Sequence, residues 1–146
     1  MVLDWYSING VLSAMDDVKD RIGLAAAALV EDGMVIGLGT GSTASCFIQA
    51  LANRYENEGL NIVTVASSHA SEKLARDLGL PSVTIDAIEA IDITFDGADE
   101  IDPQKQMIKG AGGALLKEKI LAACSREFIV LVDESKLVKT LGKVKL

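Results

Sequence analysis

The sequence predicts a doubly wound α/β fold, a mostly parallel, Rossmann-like sheet with helices on both faces. Short, largely apolar runs at 34–38, 61–65, 91–95 and 128–132 read as strands buried in a sheet. Stretches between them carry apolar residues at helical spacing. A polar or glycine-rich turn follows each run, at 39–43, 67–71, 96–99 and 133–136, and all four can meet at the carboxyl edge where such sheets bind ligands. Composition agrees. The 146 residues make one domain's worth of chain, and with 49% hydrophobic but 4% aromatic residues the core must be built of Ala, Val, Ile and Leu. Lys+Arg 14 against Asp+Glu 21 gives a net charge of −7, which repels nucleic acid and anionic membrane. Any phosphate bound here needs a local device.

Residues 1–12 show no clear period and read as a lead-in. From 13 to 30, Met15, Val18, Ile22, Ala25, Ala26 and Leu29 recur at helical spacing, with Ser13 and Asp16 or Asp17 as the start signal. Lys19 lies at the edge of that stripe, where position alone suggests a stem laid over the core with its amine in water. Gly33 ends the helix, and the run 34–38 follows as a strand. A helix is expected from about 44 to 55, a strand at 61–65 and a helix at 71–78 closed by Gly79. After Pro81, residues 82–85 read as a third strand, 86–90 as a helical turn and 91–95 as the fourth strand. Residues 113–125 read as a helix and 128–132 as the fifth strand. His69, the only histidine, sits in a loop and reads as solvated. Cys46 and Cys124 fall in helices without metal-ligand spacing, so they read as buried free thiols of a reducing compartment. The start lacks the basic flank of a signal peptide, and the longest apolar run, 22–30, is too short to span a bilayer. A cytoplasmic location is expected.

Gly39-Thr40-Gly41-Ser42-Thr43-Ala44 lies between a strand and a helix. Its glycines allow close backbone approach, and a helix N-terminus offers unpaired N–H groups, so the stretch reads as a phosphate cradle. The pattern also matches Gly-x-Gly-x-x-Ala, but no carboxylate follows the next strand to hold a ribose hydroxyl, and no Gly-Lys-Ser/Thr makes a Walker loop. A tight turn with a hydroxyl cap is the plainer alternative.

In Asp96-Gly97-Ala98-Asp99-Glu100, three carboxylates fall within five residues. Lys109, the turn Gly110-Ala111-Gly112-Gly113 and a helix carrying Glu118 follow. Crowded carboxylates raise one another's pKa unless a cation compensates, and Lys109 is placed to do so. Acids, a cation, amide donors and a further carboxylate are the parts of a proton-transfer site. A solvated acidic loop and a salt-bridged helix face are the bland counterparts.

Taken in order and spacing, these three blocks resemble ribose-5-phosphate isomerase, type A, and residues 133–136 resemble that family's Asp-x-Ser-Lys segment. The resemblance implies interconversion of D-ribose 5-phosphate and D-ribulose 5-phosphate through an enediolate, with no metal or organic cofactor. It implies Glu118 as the base and Asp96 as the ring-opening residue, with Asp99 and Lys109 on the sugar oxygens. It implies that Lys19, Ser42, Thr43 and Lys136 anchor phosphate, reversing the positional reading of Lys19. Thr40, Gly41, Gly97, Ala98, Gly110, Ala111, Gly112 and Gly113 would complete the substrate-binding set. Ala111 departs from the family's four-glycine run, which matters only if that residue needs a positive φ. The family continues into a smaller α+β domain, so residues 13–140 are expected to form the isomerase α/β domain and 141–146 the start of a truncated continuation. The expected partner is a small sugar phosphate, with a homodimer or larger homo-oligomer. A non-catalytic sugar-phosphate sensor, as in DeoR-type regulators, is the alternative, and a CoA-transferase-like enzyme a weaker third.

Overall fold

The computed structural model describes residues 17–143. Asp17 opens the first helix, α1 (Val18–Ala27), by accepting from the Lys19 amide, so the helix starts at Asp17; the alternative signals at Ser13 and Asp16 lie outside the described residues. Strand β1 (Val35–Leu38) leads into α2 (Ser42–Glu58), which Gly59 closes in the left-handed conformation. Then come β2 (Val63–Ala66), α3 (His69–Asp77) and β3 (Ile91–Gly97). A short hairpin, β4 (Glu100–Ile101) with β5 (Met107–Ile108), precedes α4 (Leu115–Cys124) and β6 (Ser125–Leu131).

The main sheet has the order β2-β1-β3-β6, with every neighbouring pair parallel. The chain leaves β1 for β2 on one side and later returns to place β3 on the other. That reversal puts the topological switch point between the carboxyl ends of β1 and β3. Strand alternation divides the core. Ile36, Leu38, Ile93, Phe95, Ile129 and Leu131 turn toward the helical layer of α1, α2 and α3, where Phe47 and Phe95 stack at 4.3 Å between ring centroids. Val35 and Val65 turn the other way and pack with Leu121 of α4 and with Val83, Ile85 and Ile88. Helices therefore cover both faces, as expected.

The expected third strand at 82–85 does not form. Ser82 makes only an isolated bridge to Thr64, and Ile85–Ala87 turns into a 3₁₀ helix. The hairpin of β4 and β5 was not foreseen, because its strands are two residues each. Cys46 is half-buried, its thiol pushed up to about 11 by burial and then by Asp20, whereas Cys124 is exposed rather than buried. Among the described residues no helix is long and apolar enough to cross a membrane.

The first two helices pack through small residues. Gly23, Ala25, Ala26 and Ala27 are buried on α1, and a Cβ at Gly23 would lie 2.6 Å from the carbonyl carbon of Cys46 on α2. Arg54 of α2 donates to the carbonyl of Val30 at 2.9 Å and to that of Ala27, fastening the end of α1. Gly23→Ala should therefore force α1 from α2 and destabilise the fold by about 1–3 kcal/mol. Urea unfolding measures it; an unchanged midpoint would show that the helices separate without cost.

Candidate active site

Asp96 is the next-to-last residue of β3, and its side chain is 1% exposed. So close an approach of β3 to the turn after β1 requires a glycine at 39, since a Cβ there would overlap the Asp96 carboxylate. The Thr40 amide donates to Asp96 Oδ1 at 3.1 Å, and the Gly97 amide donates to the same oxygen at 2.8 Å. The second oxygen, Oδ2, lies 2.9 Å from Lys109 Nζ. Lys109 also donates to the Gly97 carbonyl at 2.6 Å and stands 3.5 Å from Glu118 Oε2. One ammonium thus sits between two buried carboxylates.

Glu118 lies in the first turn of α4 and is 5% exposed. Burial pushes its carboxyl above the usual range, and the negative charge of Asp96 pushes it further, while Lys109 opposes both. A carboxylate raised in this way takes up a proton more readily than a solvated one, as a general base must.

The cluster faces a cavity of about 150 Å³. Its wall includes Thr40, Gly41, Ser42 and Thr43 on one side, and Gly97, Ala98, Asp99, Lys109, Gly110, Gly112 and Glu118 on the other. Lys136 closes the rim, and Ala44, with Leu131 and Val132, which the sequence did not single out, completes the lining. Helix α2 begins at Gly41, in a positive-φ conformation and with no side-chain cap, so its first N–H groups stand at the cavity. Lys19 reaches across from α1 to donate to Ser42 Oγ at 2.9 Å. Asp133 caps the turn Glu134–Lys136 through Ser135; the Ser135 hydroxyl holds its carboxyl below the usual range, helped by Lys136 and Lys19. Both lysines therefore stand at this rim.

Two of the expected substrate-binding residues change place. Ala111 and Gly113 do not line the cavity. The Ala111 amide donates to Asp99 Oδ2 at 3.0 Å and the Gly113 amide to the Gly110 carbonyl at 3.0 Å, so these two N–H groups shape the turn instead of facing the cavity. Ala111 is not among the residues of positive φ, so it fits where a glycine was expected, whereas Gly110 and Gly113 do need theirs. Glu100, third of the crowded carboxylates, points away and accepts from the Gly142 amide at 2.7 Å. His69 is exposed at the start of α3, beside Glu72. Among the described residues no group of His, Cys, Asp and Glu could hold a metal ion.

Fold and cavity together define an α/β domain whose switch point joins an acid–lysine–glutamate cluster to the uncapped start of α2. Residues 63–146 match the family model of ribose 5-phosphate isomerase A (phosphoriboisomerase A). Ribose-5-phosphate isomerase A of Streptococcus thermophilus is 52% identical over 132 residues, 90% of this chain and 58% of its own length. The Streptococcus agalactiae protein of the same name is also 52% identical, over 90% of this chain and 59% of its own. Ribose 5-phosphate isomerase A from Methanocaldococcus jannaschii superposes with a TM-score of 0.83 at 48% identity, covering 86% of this chain and 56% of that one. A D-ribose-5-phosphate isomerase in complex with phospho-erythronic acid gives 0.82 at 44%, covering 84% and 54%. The Pyrococcus horikoshii translation initiation factor eIF-2B, at 20% identity and 0.54 over 85% of this chain and 49% of that one, shares the fold alone. The chain belongs to the ribose 5-phosphate isomerase A family, and it spans a little under three fifths of the length of the curated relatives it matches.

The raised Glu118 carboxyl has a consequence for stability. The folded state holds that proton more tightly than the unfolded chain does, so its contribution is complete below the ordinary carboxylate range and is lost as pH rises through the folded value. Glu118→Gln, always neutral, should gain in melting temperature relative to wild type as pH rises above the ordinary carboxylate range, about pH 4. Parallel thermal melts read the difference. A gap that stays constant, or widens on acidification, would contradict a raised Glu118.

Proposed function

We propose that the protein interconverts D-ribose 5-phosphate and D-ribulose 5-phosphate. The observation that carries this reading is the single cavity in which Glu118 and Lys109, with Asp96 behind them, face the uncapped start of α2. The phosphate of an extended sugar would rest on the amides of residues 41–43 with Lys19 and Lys136, leaving C1 and C2 at the carboxylate cluster. A related isomerase structure contains phospho-erythronic acid, a phosphorylated polyhydroxy acid, which supports a site built for phosphate at one end and negative charge at the other.

In this reading Asp96 assists opening of the furanose ring. Glu118 removes the C2 proton of the open-chain aldose, and the electron pair forms the C1–C2 double bond as charge moves onto O1. Lys109 stabilises that enediolate, with Asp99 holding the neighbouring hydroxyl. Glu118 then returns the proton to C1 while the O2 hydroxyl proton passes to O1, which yields the ketose. The raised proton affinity of Glu118 suits it to both halves of the cycle. No residue in this scheme calls for a metal or an organic cofactor.

A homo-oligomer is the proposed assembly, supported by the exposed Leu115, Leu116 and Ile120 along α4. Sedimentation velocity should show a species above the monomer mass of 15.4 kDa, and a single monomeric boundary would remove the proposal. The function is tested by supplying D-ribose 5-phosphate and following ketose formation. Glu118→Gln keeps the shape of the side chain and should lower turnover by about 10²–10⁴-fold. Near-normal turnover in that variant would take Glu118 out of the proton transfer.

A further inference from the structure

The dipeptide Gly39–Thr40 is gripped from two sides, and only one of them belongs to the acid cluster. On the β3 side, the Gly39 amide donates to the Phe95 carbonyl at 2.8 Å and the Thr40 amide to Asp96 Oδ1 at 3.1 Å. On the opposite side stand hydroxyls from the loop after β2 and the first turn of α3. Ser71 Oγ donates to the Gly39 carbonyl at 2.6 Å, and Thr40 Oγ1 meets Ser67 Oγ at 2.8 Å. Ser67 is 1% and Ser71 5% exposed, so water does not compete for these contacts.

A count of protons shows how the contacts are directed. A serine hydroxyl has one proton, and that of Ser71 goes to the Gly39 carbonyl. Ser68 Oγ accepts from the Ser71 amide at 3.2 Å, which leaves its own proton for Ser71 Oγ at 3.0 Å. The chain of donation runs from Ser68 through Ser71 to the backbone of the turn. Thr40 spends its hydroxyl sideways on Ser67, while its methyl carbon lies on the Gly112 side of the turn, 3.8 Å from where a Cβ of Gly112 would stand. The side chain of Thr40 thus fixes the loop rather than reaching for a ligand.

We propose that Ser71, assisted by Ser67, is a positioning residue for phosphate recognition: its hydroxyl holds the Gly39 carbonyl so that the amides following Gly41 stay aimed into the cavity. The proposal rests on the sugar-phosphate reading of the site. A turn held in its binding shape before the ligand arrives loses less freedom on binding, and the gain falls on whatever the turn's N–H groups hold. Neither serine lines the cavity, so the effect passes through backbone alone.

The test is titration of the full chain, by calorimetry or NMR, with inorganic phosphate, D-ribose 5-phosphate and D-ribose. Ser71→Ala should weaken both phosphate-bearing ligands about fivefold, the ~1 kcal/mol of one hydrogen bond, and leave D-ribose unchanged. Ser67→Ala should act in the same direction, and Ser71→Thr, which keeps the hydroxyl, should restore binding. Lys19→Ala, which removes a direct anchor, gives the reference pattern of a phosphate-selective loss. Wild-type affinity for phosphate in Ser71→Ala, or equal losses for ribose and its phosphate, would overturn the proposal. If Ser71→Ala does not fold, Ser67→Ala decides by the same criterion. A wild-type chain that binds inorganic phosphate but not ribose 5-phosphate overturns the sugar-phosphate reading and leaves the Ser71 comparison intact on phosphate; one that binds neither overturns both.

Discussion

The ammonium of Lys109 is the constraint on which the site depends. Asp96 and Glu118 are both almost wholly buried, and two carboxylates in such surroundings resist ionising together. Lys109 stands 2.9 Å from one and 3.5 Å from the other, and donates a further hydrogen bond to the Gly97 carbonyl at 2.6 Å. The two acids are not equivalent. Asp96 also receives two backbone N–H groups, from Thr40 and Gly97, so its charge is supported by the fold itself. Glu118 has a longer contact to the lysine and a carboxyl shifted upward by burial. Two chemically similar groups thus sit in different surroundings, one bound to backbone amides and one not.

The sheet makes room for this arrangement by a rule that is simple in sequence terms. Gly37 of β1 pairs with Thr94 of β3, and the next residue on the same face of each chain brings Gly39 against Asp96. Both glycines are places where a Cβ would overlap the neighbouring side chain. On the other face of β1, Ile36 and Leu38 join the main core. One strand is therefore apolar toward the helices and empty toward the polar side chains of its neighbour. Thr94 uses the space to meet Ser125 Oγ at 2.6 Å, and Asp96 uses it to enter the site.

Much of this was legible in the chain because strand, turn and helix follow one another with clear punctuation. The four strands of the main sheet lie within a residue or three of where apolar runs place them, and the polar turns after β1 and β3 do meet at the switch point. What failed was short-range. The stretch at 82–85 has strand-forming residues, but Val83 and Pro81 exchange hydrogen bonds only with Thr64, and the backbone then coils at Ile85. The hairpin between Glu100 and Ile108 is held by Asp102, which accepts from the amides of Gln104 and Gln106, and by Lys105 at φ 62. Residue type gives little warning of a lysine in that conformation. Lys19 could not be placed from its position on a helix, since its role follows from Ser42, a residue 23 positions away. The serines behind the turn were visible only as part of the polar turn at 67–71, and nothing in their residue type shows that both end up buried.

Charge distribution completes the physical picture. The chain carries a net −7, yet Lys109 and Lys136 line one cavity and Lys19 holds Ser42 at its edge. An anionic ligand approaching such a surface is repelled over most of it and attracted at one place, so the acidity of the whole sharpens the selectivity of the part. The three lysines are not interchangeable there. Lys109 is committed to two carboxylates and has little net field left for a phosphate, whereas Lys19 and Lys136 stand at the outer rim with Asp133 as their acidic neighbour. In the proposed reading, a dianionic group would therefore be held at the α2 end of the cavity and not at the acid cluster. In the proposed reading, that polarity would orient a sugar phosphate before its reacting carbons reach the acid cluster.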